Sequence, residues 1–480
     1  MAGCGHARLA AIAIACAACG VAAIGAAGCG KGRVGEDAIA AVAAGDEGGP
    51  GKGAAPGAKG DAGDGEDAIA AGGAAHAASS SEEPPRAGAG HAQVEARGAA
   101  DPAILWTGSG LAVVWMNGEP MEEYNSDWGN HAWAFDGTGP HEAWMATFDA
   151  SGQPIAGPVA LEGAGEGPKG LTGPVFAAPV WDGGKAWLAW MMCNESAKAG
   201  VPCRYVVAAW GPDGAQAVKP VIAAKDGWSR GPPPWFVTLT GGEAGPVLSW
   251  ISTEPIKKTG CPDLECVPYS DLVKSVAIGA DGAIGDQERW CGEVMVGFEM
   301  HAFGKGHLFV ESDEHIGYQT NIRETGTGSG HAWSLWTSGD PFKEAVVTGK
   351  GAAIIYDRTG GGQHVTVEHC MDVIAAGEKE KVAECAHPAS RRLEWKDGAL
   401  AIVMQAKGGK EYPLLLAPGD HVPLKLLRKA DFVAAAGDGG DGGEAAKAAT
   451  RATDSVWTGS AVALVWHAGG KIHVAMIQPG

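Results

Sequence analysis

The chain has 480 residues, which is enough for one large domain or for two or three ordinary ones. Its 56 acidic and 36 basic side chains give a formal net charge of −20, and no cluster of Lys or Arg interrupts this negative field. Binding to a nucleic acid backbone is therefore electrostatically opposed, and no nucleic acid partner is expected.

The first 28 residues have the pattern of a secretory signal peptide. After a weakly basic start, residues 9–28 run without a charge through apolar and small side chains to Cys29. This end resembles the signal of bacterial lipoproteins, in which the Cys after a small residue pair is lipidated and becomes the mature N-terminus. The resemblance implies lipidation of Cys29 and a lipid anchor in the outer membrane, with the protein facing the periplasm or the cell surface. Simple secretion and a retained membrane helix stay open, because Cys16 and Cys19 offer competing sites and the apolar run is long enough to span a bilayer.

The spacing of the cysteines agrees with export. The pairs proposed as local disulfide bonds are Cys193–Cys203, Cys261–Cys266 and Cys370–Cys385. Cys291 is left over. Cys261 and Cys266 also match half of a zinc site, but no second close Cys or His pair has ligand spacing, so the sequence predicts no metal and no other cofactor.

Residues 29–100 are predicted to form a disordered, acidic linker. They are rich in Gly and Ala and contain no aromatic residue, so they cannot bury enough apolar surface to offset the loss of chain entropy. A second Gly- and Ala-rich stretch, residues 434–454, is predicted to be a disordered insertion. Residues 101–480, apart from this insertion, are predicted to form the folded domain.

All 18 Trp residues lie in this folded part, which repeats itself. Residues 104–115 read as an apolar strand, a Thr-Gly-Ser-Gly turn and a second apolar strand, and residues 456–466 repeat the pattern with the same spacing between tryptophans. The period of two residues indicates β-hairpins. Five further hairpin openings start at Trp181, Leu239, Phe303, Val347 and Trp395.

A second motif falls downstream of three openings. Gly152, Gly214 and Gly282 each follow an Asp or Ser and separate two short apolar runs, where a tight hairpin needs a residue with positive φ. Each unit therefore reads as four antiparallel strands. Such repeats predict an all-β fold, a β-propeller of about seven four-stranded blades with six as the alternative; tandem β-sandwiches are the other all-β solution.

The two ends of the folded part suggest how the ring closes. The last unit stops one strand short, after Ile477. Residues 91–97, just before the first hairpin, are the candidate that supplies the missing strand and so removes an exposed sheet edge.

The Trp-Thr-Gly-Ser opening, the Trp-ended second strand and the Asp-x-x-Gly turn before Gln153 resemble the degenerate propeller repeats of bacterial surface lipoproteins. The resemblance covers most of residues 101–480. It implies the fold and a location in the cell envelope. It implies no reaction, because that family is defined by its repeats and has no common activity.

Two polar regions are candidates for a site. Residues 117–140 combine aromatic and acidic side chains that could stack on a sugar or a cation, and the ligand candidates there are Tyr124, Trp128, His131 and Trp133. Packing of this loop on itself is the alternative. A second group is interpreted as solvated blade-edge residues, since alternation along a strand sends neighbours to opposite faces. Its members are His301, His307, Glu311, Asp313, Glu314, His315 and His331.

No residue is predicted to be catalytic. The first functional hypothesis is a monomeric, non-enzymatic envelope lipoprotein whose propeller presents loops to a protein or glycan partner that the sequence does not identify. One alternative is a glycan-degrading hydrolase or lyase, which would need paired carboxylates at the central channel. The other is an assembly scaffold similar to propeller lipoproteins that help insert outer-membrane barrels, although their Ala-Leu-Asp-x-x-Thr-Gly repeat is missing here.

Overall fold

The structure is a computed structural model, and it describes residues 91–479 apart from internal gaps. The longer gaps are residues 118–131, 135–141, 194–200, 229–236, 256–268, 325–332, 337–341, 361–365 and 435–441. Residues 1–90 lie outside the described residues. The signal peptide, the lipidation of Cys29 and the disorder of residues 29–90 therefore stay predictions.

The described chain is nearly all β-strand and forms a β-propeller, as the repeats predict. Its strands group into seven sheets in which neighbouring strands are antiparallel. Six of these sheets have four or more strands and form full blades, whereas the seventh has three. This arrangement agrees with the prediction of about seven units, or six.

The first three blades follow the chain except for β4, which lies between two strands of the first blade in sequence but pairs in the second. The first contains β2 (Ala103–Trp106), β3 (Gly110–Asn117), β5 (Glu142–Asp149) and β6 (Pro154–Ala160). The second contains β4 (Ala132–Ala134), β7 (Val175–Ala177), β8 (Val180–Asp182), β9 (Lys185–Cys193), β10 (Val201–Trp210) and β11 (Gln216–Trp228). The third contains β12 (Val237–Thr240), β13 (Val247–Pro255), β14 (Tyr269–Ala277) and β15 (Glu288–Cys291).

The next three sheets are equally regular in chain order. The fourth contains β16 (Met295–Phe303), β17 (Gly306–Asp313), β18 (Gly317–Glu324) and β19 (Trp333–Trp336). The fifth contains β20 (Phe342–Thr348), β21 (Gly351–Gly360), β22 (Thr366–Ala375) and β23 (Lys381–Ala386). The three-stranded sheet contains β24 (Pro388–Lys396), β25 (Ala399–Ala406) and β26 (Glu411–Leu415).

The last blade combines both ends of the described chain. It contains β1 (His91–Glu95), β27 (Phe432–Ala434), β28 (Asp454–Trp457), β29 (Val462–Ala468) and β30 (Lys471–Pro479). Two helices precede β28: α1 (Leu424–Leu427) and α2 (Gly442–Arg451). All seven predicted hairpin openings fall at turns between two paired strands, namely β2–β3, β8–β9, β12–β13, β16–β17, β20–β21, β24–β25 and β28–β29.

The Thr of the opening motif explains why the motif recurs. In the first blade, the backbone N–H of Gly110 donates to the Thr107 hydroxyl at 3.0 Å. In the last blade, the N–H of Ala461 donates to the Thr458 hydroxyl at 3.1 Å. Thr348 accepts from the N–H three residues later in the same way. The Thr side chain thus satisfies a hairpin donor that has no partner in the strand ladder.

The Asp-Gly turns fasten each blade to the one before it. A Cβ on Gly214 would lie 2.3 Å from the Val159 side chain in β6, and a Cβ on Gly282 would lie 2.5 Å from the Val218 side chain in β11. Both glycines also have positive φ. Gly is therefore required for two reasons, the left-handed backbone and close contact with the preceding blade.

The ring closes through the strand predicted to close it. β1 pairs antiparallel with β30, from His91 opposite Ala475 to Glu95 opposite Lys471. Ala92 and Val94 are buried in a core that joins the first and last blades. Closure removes the open edge of β30 and ties the two ends of the folded chain together.

Two predicted boundaries need correction. The folded domain begins by His91 and not at residue 101, because β1 belongs to the last blade. Residues 434–454 are not wholly disordered, since α2 occupies Gly442–Arg451 and buries Ala449. The Ala-rich sequence after Gly443 favours a helix, because Ala has the highest helix propensity, although the combined Gly and Ala content predicted disorder.

Candidate functional site

The long connection of the first blade reaches the inner edge of the second. In a propeller the first strand of each blade lies beside the axis, and in this chain β2 packs against β28 and β16 against β20. In the second blade β7 has that place, yet β4 pairs with its other edge, Trp133 opposite Phe176. The backbone of Trp133 therefore lies on the axial side of the blade. Tyr124, Trp128 and His131, the other ligand candidates, lie outside the described residues.

A histidine–carboxylate pair lies beside the inner strand of the last blade. His421 Nδ1 is 3.0 Å from an Asp454 carboxylate oxygen, and 53% of its side-chain surface is exposed. Asp454 raises the pKa of His421 to about 9, so the imidazole is charged at neutral pH. An accessible, charged imidazole beside an oriented carboxylate can donate a proton or a hydrogen bond to a ligand at the axis.

Backbone donors from two blades fix Asp454. The N–H of Ile104, in the inner strand of the first blade, donates to one carboxylate oxygen at 3.0 Å, and the N–H of Ser455 donates to the other at 2.7 Å. The carboxylate thus cannot rotate freely to follow His421. The contact between the first and last blades therefore holds the His421–Asp454 pair in one geometry.

A second carboxylate, Asp420, precedes His421 in the chain. Asp420 accepts from the backbone N–H groups of Gly349, at 2.8 Å, and Ala417, at 2.7 Å. Burial raises its pKa above the ordinary value, and these two hydrogen bonds oppose the rise. Asp420 therefore links the fifth blade to the segment that carries His421.

A further His–carboxylate pair lies on the inner strand of the fourth blade. His301 Nε2 is 2.7 Å from a Glu299 oxygen, and Glu299 is buried. His307 does not join them, because the register places it opposite Ala302 and so on the other face of the sheet. Burial lowers the pKa of His307 to about 4, and its Nε2 has no hydrogen-bond partner among the described residues.

The structure therefore splits the second predicted polar group. Glu311 and Asp313 are placed only by the backbone register of β17. Glu314, His315 and His331 lie outside the described residues.

Two buried ion pairs are internal to the fold. The Asp226 carboxylate accepts from Lys274 Nζ at 2.9 Å and from Trp250 Nε1 at 2.8 Å. The Asp372 carboxylate lies 2.7 Å from Lys381 Nζ and accepts from the Tyr356 hydroxyl at 3.1 Å. Asp226 and Lys274 join the second and third blades, whereas Asp372 and Lys381 both lie in the fifth. Because these charges are buried and mutually neutralised, they stabilise the fold and are not offered to a ligand.

Two disulfide bonds fasten blade strands. Cys193 bonds Cys203 across β9 and β10, and Cys370 bonds Cys385 across β22 and the end of β23, the partners that sequence spacing proposed. Cys261 and Cys266 lie outside the described residues, and the role of Cys291 stays open. Among the described residues one potential metal-binding group occurs, Glu368 with Cys370 and Cys385, but both its cysteines are already joined in a disulfide.

The sequence did not predict the contact between His421 and Asp454. His421 and Asp454 are 33 positions apart and belong to no shared motif, so nothing in the spacing brings them together. The available signal was indirect. Asp454 directly precedes the last hairpin, and an acid there could have been considered for a role between the first and last units.

Comparison with known proteins found matches among solved structures alone. No protein-family model matches the sequence, and no curated protein matches it. Among solved structures, the β-propeller domain of the Trilobed protease from Pyrococcus furiosus, described as having an open velcro topology, is 11% identical with a TM-score of 0.32; the alignment covers 68% of this chain and 87% of that one. At such identities and TM-scores the likenesses carry no argument about function.

Two enzymes are also among the similar structures. The polysaccharide lyase Uly1 is 10% identical with a TM-score of 0.35, and the alignment covers 83% of this chain and 94% of that one. The Pyrococcus horikoshii acylaminoacyl peptidase is 11% identical with a TM-score of 0.31 over 68% of this chain. The chain spans 47% of that peptidase's length.

In the part of this chain that the structure describes, no helix is both long and apolar enough to cross a membrane.

Proposed function

We propose that the protein is an exported, non-enzymatic β-propeller of the cell envelope that binds a glycan at its axial face. The observation that carries this proposal is the position of β4, which lies inside the inner strand of the second blade. A connection that spans two blades and ends beside the axis is a means of presenting side chains there, since hairpin closure alone needs only a few residues.

Aromatic side chains suit a sugar ligand. Trp133 is fixed at the axial edge by its backbone pairing with Phe176. Trp128 is five residues earlier and so within about 18 Å of it along the chain. Flat apolar rings next to acidic groups can stack on a sugar face while accepting hydrogen bonds from its hydroxyl groups. An envelope protein is the alternative ligand.

The proposed location combines disulfide bonds with the signal sequence. The Cys193–Cys203 and Cys370–Cys385 bonds indicate an oxidising, non-cytoplasmic compartment. We propose that Cys29 carries the lipid that anchors the protein in the outer membrane. Mass spectrometry of protein purified from membranes should find diacylglycerol on Cys29, and Cys29→Ser should release the protein from the membrane fraction. An unmodified Cys29 in membrane-bound protein would refute the anchor.

Binding can be tested with defined envelope glycans. Purified protein is screened against peptidoglycan fragments and capsular polysaccharides, and hits are titrated by calorimetry. Trp133→Ala should weaken binding about 30-fold, the loss expected for an aromatic anchor worth about 2 kcal/mol. Ile155→Ala, at an exposed apolar side chain of β6 on the outer edge of the first blade, is the control and should leave affinity unchanged. Equal effects of both variants, or no glycan bound at all, would contradict the proposal.

The His421–Asp454 pair favours one second candidate, a glycan-degrading enzyme. Its imidazole is accessible and its carboxylate is oriented by Ile104 and Ser455, which is an arrangement suited to proton transfer. Incubation with the same polysaccharides should then generate new chain ends, and His421→Asn should abolish them while the thermal midpoint stays near that of His387→Asn, a variant of another exposed histidine. Absence of chain cleavage across the panel would leave the binding function.

A further inference from the structure

The three-stranded sheet leaves one edge of a long strand open. Among the described residues β24 pairs with β25 alone, so no strand is paired with its second edge. β24 spans nine residues, and none of them is fully buried. An accessible edge of this length is a template to which another strand can be added.

The backbone of every second residue of β24 points out of this edge. In the middle strand, the carbonyl oxygen of Leu400 accepts from the N–H of Leu416, so the even-numbered residues of β25 bond toward β26. Its odd-numbered residues therefore bond to β24, where the register places even-numbered residues opposite them. The N–H and C=O groups of Arg391, Leu393 and Trp395 consequently face away from the sheet. No backbone group of the described residues bonds to them.

The two edges of this sheet differ in how they are protected. Pro413 of β26 lies opposite Val403, whose backbone bonds toward β24, so the proline nitrogen faces outward and offers no donor. The only proline of β24 is Pro388, at its first position. Proline therefore opposes the addition of a strand at β26 and leaves the edge of β24 available.

The solvent-facing side of β24 carries charges of both signs. The Arg392 guanidinium lies 2.5 Å from a Glu394 carboxylate oxygen and 3.1 Å from a Glu411 carboxylate oxygen. All three side chains are exposed. Although the whole chain is acidic, this face is therefore locally balanced and does not repel a second face of the same composition.

The other side of β24 is apolar and incompletely covered. Leu393 packs at the border of the core between the sheets, and α1 and β22 lie against this side. Trp395 contacts the ring of Trp457 edge-on at 5.4 Å between centroids, yet 36% of Trp395 stays exposed. A strand added beside β24 would cover part of this apolar surface.

Two copies of β24 are complementary when they pair antiparallel about Leu393. Arg392 of each copy then lies opposite Glu394 of the second copy, and Arg391 lies opposite Trp395 of the second copy. Opposite charges and a cation beside an aromatic ring both stabilise directly opposed pairs. The outward-facing residues form three pairs, each of which exchanges two backbone hydrogen bonds.

Charge disfavours the neighbouring registers. A shift of two residues in one direction places Arg392 opposite Arg392 of the second copy, and a shift in the other direction places Glu394 opposite Glu394 of the second copy. Like charges directly opposite each other are destabilising. A shift of one residue would call on backbone groups that already bond to β25. The strand therefore specifies a single register with itself.

We propose that two copies of the chain associate through β24, as a two-fold symmetric dimer whose two three-stranded sheets form one continuous sheet. The dimer replaces the monomer that we expected from the sequence. It does not depend on the proposed binding of a glycan. Because one strand of each copy forms the contact, we expect weak association that depends on protein concentration.

Sedimentation equilibrium tests the dimer with the full-length protein in a density-matched detergent. The native protein should shift from the mass of one chain to that of two as its concentration rises. Arg392→Glu opposes two glutamates at each contact, and Glu394→Arg opposes two arginines. Each variant should weaken dimerisation at least about tenfold.

Mixing the two variants separates this contact from a general effect of charge. An equimolar mixture of Arg392→Glu and Glu394→Arg restores opposite charges at both positions, so it should dimerise as the native protein does. Lys219→Glu, at an exposed lysine of β11, changes the net charge as Arg392→Glu does and should leave dimerisation unchanged.

Three results would overturn the proposal. The first is a native protein that stays monomeric up to about 500 μM, a concentration at which even a weak dimer is populated. The second is a native-like dimer in both charge variants, which would place the contact elsewhere. The third is a mixture of folded variants that does not recover dimerisation. The mass of the native protein decides the matter by itself if a variant does not fold.

Discussion

The backbone N–H of Ile104, in the first blade, donates a hydrogen bond of 3.0 Å to the carboxylate of Asp454, in the last blade. The same carboxylate contacts His421. One side chain therefore joins the two ends of the ring and orients the exposed imidazole at the inner edge. Ring closure and the geometry of the candidate site have a shared cause at this position.

This shared cause predicts how the His421 imidazole titrates. The pKa of His421 should be about 9 and should fall toward its ordinary value of 6.5 in Asp454→Asn. Since the folded pKa is raised, the pair stabilises the fold below pH 6.5 and this contribution is lost as the pH rises through about 9. The stability change should be modest, because solvent screens a half-exposed pair. NMR titration of the His421 ring measures the pKa, and an unshifted value in the native protein would contradict the pairing.

Closure of the ring by β1 predicts that substitutions at adjacent positions of this strand have very different effects on stability. Val94 is buried between the first and last blades, whereas Gln93 is exposed. Val94→Asn should lower the free energy of unfolding by about 2–3 kcal/mol, because it loses apolar burial and places an amide in an apolar site. Gln93→Asn should change it by less than about 0.5 kcal/mol. Chemical denaturation of both variants checks this, and equal stabilities would mean that β1 contributes little to closure.

The blade contact at the Asp-Gly turns can be separated from backbone strain. Gly282 and Gly108 have nearly equal φ angles, 87° and 91°, but only Gly282 has a neighbour, Val218, where a Cβ would lie. Gly108→Ala should cost about 1–2 kcal/mol from the left-handed backbone alone. Gly282→Ala should cost about 1–3 kcal/mol more, because of overpacking. Val218→Ala in the Gly282→Ala background should recover part of that difference; no recovery would show that the inter-blade contact is unimportant.

The buried Asp372–Lys381 pair predicts that removing the lysine alone destabilises the protein more than removing both charges. Asp372 has 1% and Lys381 10% of its side-chain surface exposed. Lys381→Met should destabilise the protein by about 3–5 kcal/mol, because it leaves the Asp372 carboxylate buried without its cation. The double variant Asp372→Asn/Lys381→Met should be more stable than Lys381→Met alone. Lys410→Met, at an exposed lysine, is the control and should change stability little. Thermal unfolding measures the midpoints of the two single variants and the double variant, and equal midpoints would refute the prediction.

Much of the fold could be predicted because its signals are local. The turn at Thr107, the positive φ at Gly214 and the pairing of Cys193 with Cys203 each depend on residues a few positions apart. The strand that closes the ring was also readable, since apolar and polar residues alternate around Val94, and this strand pairs with β30. Helix α2 was missed although its signal, a run of Ala, is local as well.

The candidate site depended on contacts that only the closed ring creates. Trp133 reaches the inner edge of the second blade because β4 pairs with β7, and no periodicity specifies that a strand leaves one blade for the next. His421 and Asp454 meet because the last blade is held against the first. The sequence by itself determined the hairpins and their repetition, because their energies arise between neighbours along the chain. Tertiary structure alone decided which polar side chains face one another, because those pairs form only when distant strands are brought to a common axis.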